Sequence, residues 1–285
     1  MPRTSHPAPT ESLEPVSAAA RIGTLVAVVL PLTGFVAAVA GVWGWGWIEL
    51  GTLVGMYLLT ALGITVGFHR LFTHRSFETT PAVRFVLAAL GSMAVQGSVL
   101  RWAAFHRRHH QHSDTPDDPH TPHSHGGGLL GRSRGFGTPT SGGHSSRTRP
   151  GSTGTWPTCG SPPRSGLRVP FSHSGSWPGW RPRPHSAGVL TGTWAGAGLG
   201  LLWGGLVRIF LVHHVTWSVN SVCHLWGSRP YPEKEHSRNN WLFGVLALGE
   251  GWHNTHHAYP TSARHGLRWW QMDVSYYCPE LKIRF

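Results

Sequence analysis

Two stretches near the start of this chain are apolar over the thickness of a bilayer core. Residues 24–43, beginning Thr-Leu-Val-Ala-Val-Val-Leu, carry no charge over about twenty positions, enough for a helix to span hydrocarbon. Residues 48–67 form a second candidate, with one acid, Glu49, near its start. A third lies within 195–222, where a long apolar run is broken by Arg208. Residues 82–100 are apolar but interrupted. The pattern predicts an all-α integral membrane protein, a helical bundle of which residues 1–20, rich in Pro, Ser and Glu, are a disordered tail. No cleavable signal pattern precedes the first span.

The polar positions that matter stand at the ends of these spans. They are His69-Arg-Leu-Phe-Thr-His74, His106-Arg-Arg-His109-His110 and His253-Asn-Thr-His256-His257. Residues three and four apart share a helical face, so each of the last two boxes can present its imidazoles to one centre. His69 and His74 are five apart and fit one α-helical face less well; a helix end or a turn between them would let both converge. A single box reads equally well as an exposed polar cluster. Three together point to nitrogen ligation of iron, copper, nickel or zinc, and their number to more than one ion. His112, His120, His123 and His125 lie in a Pro/Gly-rich loop, and His213 and His214 in an apolar segment, where helix-packed polar residues are the simpler reading.

The strings Gly-Phe-His-Arg-Leu-Phe-Thr-His-Arg (67–75), His-Arg-Arg-His-His-Gln-His-Ser-Asp-Thr (106–115), Asn220-Ser-Val-Cys-His224 and Gly-Glu-Gly-Trp-His-Asn-Thr-His-His-Ala-Tyr-Pro (249–260), in that order, resemble the membrane fatty-acid desaturase and hydroxylase superfamily, most closely the acyl-CoA Δ9 desaturases. The resemblance divides the chain into a desaturase domain, 21–136 and 187–285, around an aberrant segment, 137–186. It implies a cytoplasmic histidine-rich cap holding two irons. One would take His69, His110, His224, His253 and His257; the other His74, His106, His109 and His256, with Asn220 fixing a water. It also implies O2-dependent insertion of a cis double bond into a saturated acyl chain on CoA or another carrier. A separate ferredoxin, cytochrome b5 or flavoprotein reductase would supply the electrons. The stretch equivalent to 82–100 lies against the membrane in that family. Glu250 and Asp114 are candidates to orient imidazoles, although an ordinary surface or capping carboxylate is the simpler reading of each. Relatives continue past Trp270 with another helix, so the short C-terminus here is expected to lower stability rather than remove a ligand.

Charge changes the picture little. The net charge of +12 comes from scattered arginines without a nucleic-acid motif, so anionic membrane lipid is the simpler partner and nucleic acid is excluded. Arg3, Arg21, Arg70 and Arg75 flank the first two spans and put those flanks in the cytoplasm, in a plasma membrane or its equivalent. Three cysteines without a CxxC exclude a disulfide framework.

Residues 137–186 break with their surroundings. They contain no Ala, Asp, Glu, Lys, Ile, Met, Asn, Gln or Tyr, yet three Trp, which is unlike an ordinary linker. Moving the reading frame back one base lets Gly137–Gly143 encode Trp-His-Ala-His-Val-Gly-Trp. The same shift lets Thr155–Gly160 encode Tyr-Val-Ala-Asp-Leu-Arg, and Phe171–Trp180 an apolar run. A one-base deletion near Phe136 with a compensating change near Ala187, as a sequencing error or a lesion in the gene, accounts for all three. With only three spans, His224 and the third box would fall across the membrane from the first two, unless 188–222 bends back within hydrocarbon. Two further readings follow: an inactive product of a damaged gene, and a non-catalytic metal-binding or metal-transporting membrane protein. A transporter would place ligands inside its spans rather than at their ends.

Overall fold

A computed structural model describes residues 18–41, 44, 46–115, 118, 192–232 and 235–278. The expected tail (apart from its last three residues), the segment 137–186 and His120, His123 and His125 lie outside them. The described residues are helical, with isolated bridges at Ser228–Asn239 and Asn239–Trp252 and no strands.

Helix α1 (Ala18–Val39) is followed by α2 (Trp47–Leu62), which passes without a break into a π-helical segment, Gly63–His74. Then come α3 (Pro81–Ser92) and α4 (Val99–His112), each opened by a hydroxyl cap, Thr80 on Val83 N–H and Ser98 on Arg101 N–H. After Gly192 the chain forms α5 (Trp194–Gly200), a second π-helical segment (Leu201–Val207) and α6 (Arg208–Ser221), ending in a 3₁₀ turn at Val222–His224. Two short helices close the described part, α7 (Trp241–Leu246) and α8 (His253–Ala258). His112, expected in a loop, is the last residue of α4.

Three helical runs are long and apolar enough to cross a membrane: Arg21–Val39, Trp47–His74 and Trp194–His224. The last two run parallel. Gly204 packs on Thr52 and Met56 near their starts, and Ile64 meets Val212 in one core cluster further along. Both therefore end on the same side, at His69–His74 and at Asn220–His224. The predicted separation of His224 and the third box from the first two boxes is thus not what the fold does, because the third run enters from the far end of the bundle.

α3 turns back along the π-helical segment. A Cβ at Gly63 would sit 2.2 Å from the Gly91 backbone nitrogen, so only glycine allows this approach. The core lies around Val66, Phe68 and Leu71, sealed by Leu87, Val99 and Val212.

Candidate metal centre

The spacing of His69 and His74 finds its explanation in the π-helix. With i→i+5 bonding, positions five apart share a face. The two rings stand 4.7 Å apart. The widened turn is held by Thr73, whose hydroxyl donates to Phe68 O at 2.6 Å, and by Arg107, which donates to the carbonyls of Phe72 and Thr73. One α-helical turn would have pointed the two histidines apart.

All nine predicted histidines come together in two groups. Nitrogens of His69, His74, His106, His110 and His256 lie within 4.8 Å of one another, and so do those of His109, His224, His253 and His257. This grouping by proximity differs from the division implied by the resemblance. His69 and His110 join His74, His106 and His256, and His109 joins His224, His253 and His257. On α4 the faces decide this. His106 and His110, four apart, meet Nε2 to Nε2 at 3.0 Å, while His109 turns toward His224 with ring centroids 5.2 Å apart. Asn220 is buried and lines a cavity beside His106 and His253.

Four of the outer ring nitrogens meet carboxylates. His109 Nδ1 donates to Asp118 at 2.9 Å and His224 Nδ1 to Asp114 at 3.1 Å. His69 Nδ1 stands 2.6 Å from Glu250, and His257 Nδ1 stands 3.4 Å from Glu235. Glu250 and Asp114 are thus imidazole partners rather than surface groups. Asp118 and Glu235 were missed. Asp118 had a signal, a carboxylate one loop beyond the second box; Glu235 had none.

A proton bound at Nδ1 leaves Nε2 as a bare lone pair. With every Nδ1 protonated, Nε2 lone pairs would face each other at 3.1 Å (His69–His256), 3.0 Å (His110–His256) and 3.0 Å (His224–His253), an arrangement that a cation between them would stabilise. Protons are poor candidates. Burial, then the neighbouring imidazoles, holds His106, His110, His253, His256 and His257 well below the usual 6.5. His109 differs: burial lowers it, but Asp118, Asp114 and Glu235 outweigh that and raise it. Metal–imidazole bonds of about 2.1 Å put adjacent ligand nitrogens about 3 Å apart at a right angle. The buried Nε2 atoms of His74 and His257 have no hydrogen-bond partner among the described residues. Both groups fit a metal ion. Glu250, raised by burial, is pulled well below 4.5 by His69, Arg70 and His265, so it stays anionic.

A family model described as Fatty acid desaturase matches residues 48–280. The chain belongs to that family. It is 37% identical over 265 residues to the hex-5-enoyl-[acyl-carrier protein] acetylenase of Moorena producens (strain JHB), covering 87% of this chain and 78% of that protein. It is 34% identical over 243 residues to the chloroplastic palmitoyl-monogalactosyldiacylglycerol delta-7 desaturase of Arabidopsis thaliana, covering 81% and 58%. Over 241 residues it is 37% identical to the sn-1 stearoyl-lipid 9-desaturase of Anabaena variabilis, covering 82% and 80%. A membrane-bound desaturase with histidine groups able to hold iron accounts for both the sequence and the site.

An apolar pocket in this desaturase reaches the histidines. Tyr57, Ala61, Ile64, Thr65 and His69 line it along one helical face, with Val212, Val215, Thr216 and Val219 opposite. Trp102 stacks on His106 at 5.0 Å; its indole N–H donates to Gln96 Oε1, and the Gln96 amide donates to Thr216 Oγ1, each at 3.1 Å. His213 is a buried polar residue on the Ala94 carbonyl, whereas His214 is exposed and contacts the Phe210 carbonyl of its own helix.

Proposed function

We propose that this chain inserts a cis double bond, in the Δ9 manner, into a saturated fatty acyl chain, using O2 and a pair of irons. His69, His74, His106, His110 and His256 would hold one iron. His109, His224, His253 and His257 would hold the other, with Asn220 fixing a water there. The observation that carries this reading is the apolar cavity ending on His69, His106 and His253. It is a slot for an alkyl chain, closed at the histidines by Trp102 and its Gln96–Thr216 bridge.

When bound, the irons would supply the oxidising power that removes two hydrogens from adjacent methylenes. The balance is O2, two electrons and two protons taken up, two waters released and one C=C formed. The chain's own residues do the rest. The valines and Ile64 exclude water and hold the alkyl chain. Trp102, fixed by Gln96, sets which methylenes lie beside the metals. Asp114, Asp118, Glu235 and Glu250 hold the imidazoles by their outer nitrogens. A separate one-electron donor, a ferredoxin, cytochrome b5 or flavoprotein reductase, would reduce the site from the cytoplasm; arginines flanking the first two spans support that orientation. The cavity reads the alkyl chain and not its carrier. Acyl-CoA, implied by the sequence resemblance, stands beside the acyl-carrier protein and glycerolipids in the relatives' names.

The test is reconstitution of iron-loaded protein in bilayers with a reduced donor and, separately, stearoyl-CoA, stearoyl-acyl-carrier protein and a stearoyl glycerolipid. A cis monoene with at least one of them is expected. No product with any, from an iron-loaded chain, refutes the reading.

A second reading, an inactive product of a damaged gene, is favoured by one observation. Asp118 lies at the histidine end of the bundle and Gly192 at the opposite end. Residues 137–186 offer no charge-free apolar run to join them through hydrocarbon. We propose that these residues are read out of frame. Sequencing the gene across codons 130–190 tests it: a missing base near codon 136 with realignment near 187 supports the proposal, and one uninterrupted ancestral frame refutes it.

A further inference from the structure

Asp273 lies beyond the histidine boxes in a segment to which the sequence assigns only stability, yet it is completely buried. Four donors converge on its carboxylate. Oδ1 accepts from Arg70 Nη2 at 2.9 Å and from Tyr276 N–H at 3.2 Å; Oδ2 accepts from the backbone N–H groups of His265 at 2.7 Å and Gly266 at 3.2 Å. Gly249 makes room for it. Its φ is +119°, and a Cβ there would sit 2.2 Å from Asp273 Oδ1, so the position is barred to other residues both by conformation and by space.

The contacts continue toward the metal centre. Arg70 Nη2 also reaches His265 Nδ1 at 3.1 Å and lies 3.2 Å from Glu250 Oε1. His265 Nδ1 stands 3.4 Å from Glu250 Oε2, the oxygen that meets His69 Nδ1 at 2.6 Å. His265 thus meets Glu250 on the carboxylate side of His69, and its ring stands 4.4 Å from that of His256. A packing tether would need one acceptor. Here one anion fixes a buried cation from the first box, a turn of the C-terminal segment and, through both, the carboxylate that orients a ligand.

We propose that Asp273 is a positioning residue for the metal centre. Through Arg70 and His265 it fixes Glu250, and Glu250 fixes the imidazole of His69, so the segment 263–276 sets the geometry of the five-histidine group. This rests on the two-iron reading of the site.

The experiment loads the full chain with iron-57 and compares wild type, Asp273→Asn and Ser275→Ala by Mössbauer spectroscopy and by the rate of iron loss to a chelator. Ser275 belongs to the same buried segment, where its hydroxyl meets Thr65 at 2.7 Å, but it has no contact with Arg70, His265 or Glu250 among the described residues. Asp273→Asn is expected to alter the signal of one iron and leave the other. It should lose the altered iron about 10–100-fold faster, while Ser275→Ala matches wild type. Both irons unchanged in Asp273→Asn, both changed alike, or the same change in Ser275→Ala would overturn the proposal. Should Asp273→Asn not fold, Arg70→Lys carries the test: it keeps the charge, loses the Nη2 group that joins Asp273 to His265, and is expected to give the same one-iron change. An unchanged spectrum there overturns the proposal. A wild-type chain that binds no iron refutes the two-iron reading itself, whereas a two-iron wild type with indifferent variants refutes only the role of Asp273.

Discussion

Tyr57 should limit the length of the acyl chain. Counting along α2 and the π-helical segment at about 1.5 Å per residue, it lies roughly 18 Å from His69 on the cavity-lining face. Its hydroxyl donates to Leu246 O at 2.7 Å, tying α2 to α7 across the cavity's end. Tyr57→Ala removes the ring and opens that end. The variant loses a hydrogen bond and packing, about 3 kcal/mol at most for a half-buried residue. For the substrate the change is a gain. Each further methylene buried is worth about 0.8 kcal/mol, about fourfold in specificity, so a chain two carbons longer should gain about fifteenfold relative to wild type. Tyr57→Phe keeps the ring and should leave the preference where it was. The assay is competition among saturated C16, C18 and C20 acyl chains on one carrier, with monoenes resolved by gas chromatography and mass spectrometry. An unchanged product ratio in Tyr57→Ala, or an equal shift in Tyr57→Phe, would refute Tyr57 as the end of the slot.

Gln96→Leu frees Trp102 from its bridge to Thr216, so a single double-bond position in wild type should become a mixture of neighbouring positions, read from disulfide adducts of the product; one unchanged isomer counts against the bridge. Asp118→Asn weakens the hold on His109 and should lower affinity for one iron about 10–100-fold, measured by chelator competition. Unchanged affinity would show that the carboxylate is dispensable. Acid should destabilise the metal-free chain. The buried histidines His106, His110, His253, His256 and His257 titrate below 6.5 when folded, so the unfolded chain takes up protons first. Their contribution is intact above about pH 6.5 and is lost as pH falls further. A melting temperature that stays flat between about pH 7.5 and 5 contradicts this burial.

The clustered histidines were legible in the sequence because imidazoles at helical spacing leave a mark that few other arrangements leave. Their pairing was not. Whether His109 or His110 faces a given partner depends on how α4 is rotated against α6 and α8, a tertiary matter, and the structure groups the nine differently from the resemblance. The five-residue gap between His69 and His74 showed a departure from α-helix without naming it. Hydrophobicity along the chain located the three spans to within a few residues, because a bilayer sets their length. It overlooked that Trp194–His224 runs parallel to Trp47–His74, which decides where His224 lies. The carboxylates were least visible. Glu235 and Asp273 act over large separations in sequence, and a lone acid among loops carries no periodicity to mark it.

The central claim is that these histidines hold two irons that desaturate an alkyl chain. The most direct measurement determines iron per chain in protein purified from iron-replete cells, then follows conversion of a stearoyl substrate with and without O2 and reduced donor. The account predicts two irons and a cis monoene formed only when both are present. An iron-free chain, or an iron-loaded one that forms no double bond, would contradict it.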